Sequence, residues 1–405
     1  MNKLTLRDLG ETGLRGKRVL LRVDYNVPLD ERMRITDDTR IRATLPTLEL
    51  LTGAGARVVI LSHFGRPKGK RVPEMSLRPA AQRLSELTDR RVDFVGDTVG
   101  EQAGTAVREL GDGDILVLEN TRFLPGEEKN DLELARQLAA LGDLYVNDAF
   151  GAAHRAHSST AGIAEVMRED GRRAVAGLLM ERELEYLGRV LESPGRPFVA
   201  IIGGAKISGK IDVIQNLLPK VDRLLIGGAM ANTFFRAIGL GTGTSLVEED
   251  RVELAGELLR GAGDKLVLPT DCVVAERMEA GVQTAVADRE AIPDDRMVLD
   301  VGPRTAEEYR GIVASAGTVL WNGPMGVFEI AEFARGTEDV ARAVADATDR
   351  GAVSVIGGGD SAAAVAELGL ADRISHVSTG GGASLEFLEG RTLPGVAALS
   401  DRGAA

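Results

Sequence analysis

Pro197–Ile211 reads PFVAIIGGAKISGKI: a run of apolar residues, two glycines, two lysines four apart, and a return to apolar spacing. A short apolar run closed by turn residues is the signature of a strand buried on both faces, and the residues beyond the glycines suit a helix start. The same pattern recurs on either side of this stretch. Upstream lie RVLLRV, RVVILS, DILVLEN and DLYVND; downstream lie RLLIGG, KLVLPT, VLDVG, TVLWNG and AVSVIGGG, with helix-like stretches between them. Such alternation predicts parallel strands and helices in turn, an α/β fold.

A chain of 405 residues exceeds one ordinary core and favours two domains. Arg172 to Glu192, RRAVAGLLMERELEYLGRVLE, has leucines at helical spacing before Pro194 and Gly195, and reads as a helical connector. The other reading, a helix inside one domain, is open at this point. The connector divides the chain into a first domain over 1–171, a hinge helix over 172–192 and a second domain over 193–385.

Hydrophobic residues make up 44% and charged residues 27%, a globular balance. The formal net charge of −12 argues against a nucleic-acid binder with a broad basic face, so any anion site is local. No secretory signal and no long apolar span occurs, which predicts a cytoplasmic protein without a membrane partner. Cys272 is the only cysteine; it excludes an internal disulfide and reads as a small buried residue.

Almost every apolar run ends in polar residues or glycine, and in open α/β sheets ligands bind beyond the carboxyl ends of the strands. In the first half these ends carry Asp24, Asn26, Arg40, His63, Arg66, Arg122, Arg155 and His157. Converging guanidinium groups suit a small phosphate- or carboxylate-bearing ligand, because arginine offers fixed bidentate donors and permanent charge. His154 and His157 invite a zinc reading, but no Glu-x-x-His pattern or cysteine completes it.

In the second half, Gly204, Gly209 and Lys210 fit a Walker motif, but Ile211 stands where Ser or Thr would meet magnesium. The physics survives the mismatch. Glycine permits close backbone approach, and helix N–H groups and lysines attract phosphate. VSVIGGGDS sets Gly357, Gly358 and Gly359 before Asp360, the best magnesium ligand candidate, with Ser361 placed to cap a helix. STGGGAS, Ser378 to Ser384, repeats the theme, and no G-x-G-x-x-G follows a strand.

Taken together these stretches resemble the phosphoglycerate kinase family. The resemblance runs through VDYNVP (Val23 to Pro28), TRI (Thr39 to Ile41), SHFGRP (Ser62 to Pro67), ENTRF (Glu119 to Phe123), NDAFGAAHRAHSS (Asn147 to Ser159), GGAKISGK (Gly203 to Lys210), WNGPMGVFE (Trp321 to Glu329) and GGGDS (Gly357 to Ser361). Phe64 and Ser361 replace the more usual Leu and Thr.

The resemblance implies two Rossmann-like three-layer domains joined by a helical hinge, with the tail over 386–405 packing back on the first. It further implies a glycolytic, monomeric enzyme that moves a phosphoryl group reversibly between ATP and the carboxylate of 3-phosphoglycerate, giving ADP and 1,3-bisphosphoglycerate. Asp24, Asn26, His63, Arg66, Arg122 and Arg155 would hold phosphoglycerate, with Arg40 at the transferring group. Gly203, Lys210, Gly227, Gly228, Asn322, Pro324, Glu329, Gly357, Gly358, Gly359, Asp360 and Ser361 would hold the nucleotide, with Asp360 on Mg2+. Lys206, with the backbone at Gly358 and Gly382, would follow the migrating group.

A carboxylate nucleophile is already ionised at neutral pH, which accounts for the absence of an acid–base dyad. Ligands held by two domains predict hinge closure around them. Two other readings stand beside this one: a kinase for another small carboxylate, and a two-domain protein that binds an anion without chemistry.

Overall fold

The computed structural model describes residues 2–403. The chain divides into two compact units, one running up to Glu185 and taking in the chain from Thr392, the other Tyr186–Arg391.

The first unit is built on six strands, β1 (Arg18–Arg22), β2 (Arg57–Leu61), β3 (Val92–Val95), β4 (Ile115–Leu118), β5 (Leu144–Asn147) and β6 (Ala174–Ala176). They pair in parallel in the order β3-β4-β2-β1-β5-β6. β4 and β5 are buried along their whole length and β1 and β2 after their first residue, as apolar runs covered by helices on both faces require. Each such Val, Leu or Ile contributes roughly 1.5–3 kcal/mol by leaving water.

The second unit repeats the scheme with β7 (Phe198–Ile202), β8 (Arg223–Ile226), β9 (Leu266–Val267), β13 (Thr318–Asn322), β14 (Val353–Gly357) and β15 (His376–Val377), in parallel order β15-β14-β13-β7-β8-β9. Between β9 and β13 the chain forms a separate antiparallel sheet of β10 (Asp271–Ala275), β11 (Ala285–Asp288) and β12 (Met297–Val301). VLDVG therefore leaves the parallel series in which its apolar run placed it. It pairs antiparallel with β10, and its partner sheet has its own small core at Ala275, Leu299 and Phe333.

The stretch read as a connector from Arg172 begins as sheet. Ala174–Ala176 pairs with β5 as an edge strand, Gly177 turns the chain, and the helix runs over Leu178–Glu192. Alanine and valine serve either state, and here the open edge of β5 decides. The unit boundary at Glu185/Tyr186 falls inside this helix.

The second unit also runs past 385. Helix Gly382–Leu388 stays with it through Asn216 Nδ2, which donates to Leu388 O at 2.6 Å, and Arg391, which pairs with Asp212 at 2.8 Å. From Thr392 the chain belongs to the first unit: Gly395 N donates to Ala153 O at 2.9 Å, Ser400 N to Ala174 O at 2.8 Å and Leu4 N to Ser400 O at 2.8 Å.

Candidate functional site

The strand order explains where the first unit collects its polar residues. β4, β2, β1 and β5 lie side by side, so Arg122, then His63 and Arg66, then Asp24 and Asn26, then Arg155 follow neighbouring carboxyl ends. Neighbouring strands lie about 4.8 Å apart, so one small ligand spans several of these ends.

Asn26 Oδ1 accepts from Gly65 N at 2.9 Å, tying the loop after β1 to the loop after β2. Arg40 Nη1 lies 2.8 Å from Asp24 Oδ2. Arg122 is largely buried, and its Nη1 donates to Gly65 O at 2.8 Å. Its Nε is buried without a hydrogen bond, 3.5 Å from Glu128. Arg66 and Arg155 are exposed; Arg155 Nε lies 3.1 Å from His154 Nε2.

His63 and His157 are both buried among these cations. Burial, then the charge of Arg22, Arg122, His157 and Arg40, holds His63 well below the ordinary histidine value. Burial, then Arg122, Arg22 and Arg155, lowers His157 to about 4. Both rings are therefore neutral at pH 7, and the positive charge of the site comes from guanidinium.

Four groups in this layer were not singled out in the sequence. Arg22 ends β1 wholly buried, its Nε donating to Ser159 Oγ at 2.9 Å and its Nη2 lying 3.1 Å from His63 Nδ1. Buried Glu127 receives Ser159 Oγ at 2.5 Å. Buried Asn120 accepts from Arg122 N at 3.0 Å and donates to Phe64 O and Met75 O. The one legible signal was an arginine inside the apolar run RVLLRV.

The second unit builds its edge from backbone. β8, β7, β13 and β14 are neighbours, and the residues after them are Gly227 and Gly228, Gly203 and Gly204, Asn322 to Pro324, and Gly358 to Ser361. Gly203 N donates to Asn322 O at 3.0 Å, Gly204 N to Pro324 O at 2.9 Å and Gly228 N to Met325 O at 2.9 Å. Gly228 has φ +68°, and a Cβ there would lie 2.5 Å from Gly204 N and O, so only glycine fits.

Lys210 is mostly buried and donates to Asn322 Oδ1; burial lowers its pKa against the opposing charges of Asp360 and Glu389. Lys206, Glu329 and Asp360 are exposed. Helix Gly359–Glu367 follows Gly358 (φ +90°), so its first N–H groups open at the sheet edge. Ser361 lies inside that first turn and does not cap it: its hydroxyl accepts from Gly323 N at 2.7 Å, fastening the β13 and β14 loops together. Helix Gly382–Leu388 follows Gly381 (φ +51°), where Ser378 Oγ and Ser384 Oγ lie 2.5 Å apart.

A further support went unread in the sequence. Asp300, buried on β12, accepts from Gly336 N at 2.7 Å and Val301 N at 2.9 Å, while Leu299 O accepts from Val327 N in the loop after β13. Burial, opposed by those backbone donors, raises Asp300 to about 8.

Among the described residues no group of three or more His, Cys, Asp or Glu could hold a metal, and no helix is long and apolar enough to cross a membrane. Asp360 therefore stands as a single carboxylate beside open helix N–H groups. That donor set fits a magnesium ion that takes its remaining ligands from phosphates and water.

Comparison with known proteins agrees with this architecture. A family model described as phosphoglycerate kinase matches residues 8–391. A phosphoglycerate kinase of Chlorobium limicola is 56% identical over 99% of this chain and 100% of its own length, and one of Chlorobaculum tepidum 57% identical with the same coverage. The phosphoglycerate kinase structure from Coxiella burnetii aligns with a TM-score of 0.88 at 42% identity, and that from Pyrococcus horikoshii with 0.82 at 35%, each covering 98% of both chains. The chain belongs to the phosphoglycerate kinase family.

Proposed function

We propose that this chain transfers a phosphoryl group reversibly between ATP and the carboxylate of 3-phosphoglycerate, yielding ADP and 1,3-bisphosphoglycerate. The observation that carries this reading is the pairing of two unlike anion sites on equivalent sheet edges. The guanidinium-rich edge suits a small, doubly anionic acid; the glycine-lined edge with Lys210 and open helix N–H groups suits a polyphosphate.

In this reading Arg122, Arg66, Arg155 and His63 bind the phosphate of 3-phosphoglycerate, and Asp24 and Asn26 orient its carboxylate end. Gly203, Gly227, Gly228, Asn322, Pro324 and Glu329 line the nucleotide site, Lys210 meets its phosphates, and Asp360 would hold Mg2+. The bound ion would neutralise phosphate charge. Arg40, Lys206 and the backbone at Gly358 and Gly382 are the groups assigned to stabilise charge on the migrating group.

The attacking carboxylate needs no base, so positioning and charge complementarity supply the rate. Neutral His63 and His157 agree with that division of labour, since neither ring changes protonation near pH 7.

The test is ADP formation from ATP and Mg2+ with and without 3-phosphoglycerate, coupled to trapping of the acyl phosphate. Product should require 3-phosphoglycerate, and Arg40→Ala and Lys206→Ala should each cut kcat by about 100- to 1,000-fold while KM changes little. A folded protein that releases no ADP would sink the reading.

A further inference from the structure

We infer that Arg22, wholly buried at the end of β1, is a positioning residue that locks His63 as a neutral ring with its single proton on Nε2. The inference rests on the phosphoglycerate reading for the identity of the anion, and on geometry alone for the tautomer.

The assignment follows from counting protons. Arg22 is wholly buried, at 0% exposure, and a guanidinium carries only donors and keeps its proton. Its Nη2 lies 3.1 Å from His63 Nδ1, so Nδ1 is the acceptor. An accepting Nδ1 bears no hydrogen, and the remaining ring proton must sit on Nε2. No described residue accepts a hydrogen bond from Nε2.

The rest of Arg22 is held in a directed chain. Its Nε donates to Ser159 Oγ, whose own proton goes to Glu127 Oε1 at 2.5 Å, and Glu127 also accepts from Ser159 N at 3.0 Å. Nη1 donates to Val23 O. Glu127 is itself wholly buried, so it offsets the Arg22 charge inside the unit while leaving Nη2 committed to His63.

The charged and titratable groups that face His63 are Arg22, Arg122, His157 and Arg40; all but the neutral His157 are cations that resist a second ring proton. The ring therefore offers an anion one fixed N–H donor across the physiological range, and binding does not vary with histidine protonation. A histidine that charged near pH 6.5 would instead tighten phosphate binding as the medium acidified.

The experiment is nitrogen-15 NMR of the His63 ring in the intact chain, assigned with His63→Gln, alongside calorimetry with 3-phosphoglycerate. Nδ1 should show the shift of an unprotonated nitrogen and Nε2 that of a protonated one, unchanged between about pH 5 and 8. A protonated Nδ1, or a ring that titrates in that interval, overturns the inference.

In calorimetry His63→Gln, whose amide nitrogen can stand where Nε2 does, should bind 3-phosphoglycerate roughly 10-fold or more tighter than His63→Asn, whose shorter amide reaches only the Nδ1 position. Equal affinities would count against the fixed donor. Arg22→Met, if it folds, should give His63 a protonation step nearer 6.5; if it does not fold, the unmodified chain still decides. Should the tautomer be as stated while 3-phosphoglycerate fails to bind the unmodified chain, the substrate reading fails and the tautomer stands.

Discussion

In the proposed reading, the two sheet edges of this chain recognise anions by opposite means. In that reading the ligand-facing groups of the first unit are side chains, and their precision comes from a buried polar layer, Arg22 behind His63 and Asn120 behind Arg122, while half-buried Asn26 ties down the Gly65 turn. In the second unit they are mostly backbone, and precision comes from removing side chains so that Gly203, Gly204 and Gly228 hydrogen-bond to the loop after β13. On this reading the first edge should lose function by losing charge. The second loses function by gaining a methyl group.

The largest expected effect sharpens that contrast. Gly228→Ala places Cβ against Gly204 backbone at a positive φ, so the β7 and β8 loops must part. ATP affinity should fall by about 100-fold or more, with a stability cost of ~2–3 kcal/mol from strain, while 3-phosphoglycerate affinity stays unchanged. Calorimetry with each ligand checks both halves; equal loss for both ligands would break the comparison.

Arg122→Ala should do the reverse at somewhat smaller size. Removing one charge-assisted contact of a largely buried guanidinium should weaken 3-phosphoglycerate by roughly 10- to 100-fold and leave ATP binding untouched. A variant that binds both ligands normally would remove Arg122 from the site.

The smallest effect on ligand affinity concerns support rather than contact. Asp300 titrates near 8 in the folded chain and near 3.8 when unfolded, so the native state holds the extra proton between those values. Its contribution therefore weakens as pH rises from about 4 to 8. Asp300→Asn cannot titrate, so urea denaturation should show a flatter stability profile than the unmodified chain, by up to ~1 kcal/mol per pH unit. Parallel profiles would show that the carboxyl stays ionised, shielded by Gly336 N and Val301 N.

How much of this was legible in sequence depended on whether a signal was local. β1, β2, β4, β5, β7, β8, β9, β13 and β14 announced themselves because each lies in a short, mainly apolar run closed by polar or turn residues. β3 carries Asp93 in its middle and is only half-buried, β15 is two residues long, and β11 is mostly exposed, so none has a period to read. β6 was absorbed into the helix that follows it.

The glycine edge was readable for the same local reason, since its turns are contiguous with their strands. The buried layer of the first unit was not. Arg22 meets Ser159 across 137 positions and Ser159 meets Glu127 across 32, and no spacing rule links residues that become neighbours only through strand order. Ser361 shows the converse: a serine before a helix read as a cap, but Gly323, reached through the neighbouring strand, supplied a better donor.

The return of the chain at Thr392 bears on how the molecule is made. The ribosome delivers Leu4 and Ala174 early, but Ser400, the residue that hydrogen-bonds to both, and Asp401, which pairs with Lys3 at 2.8 Å, only after the whole of Tyr186–Arg391 has been synthesised. For that interval Ala176 N can meet Leu4 O, but Ala174 O at the start of the β6 edge lacks the Ser400 N–H that pairs with it. The first unit to begin folding is thus the last to finish, its edge incomplete at Ala174 until Ser400 emerges.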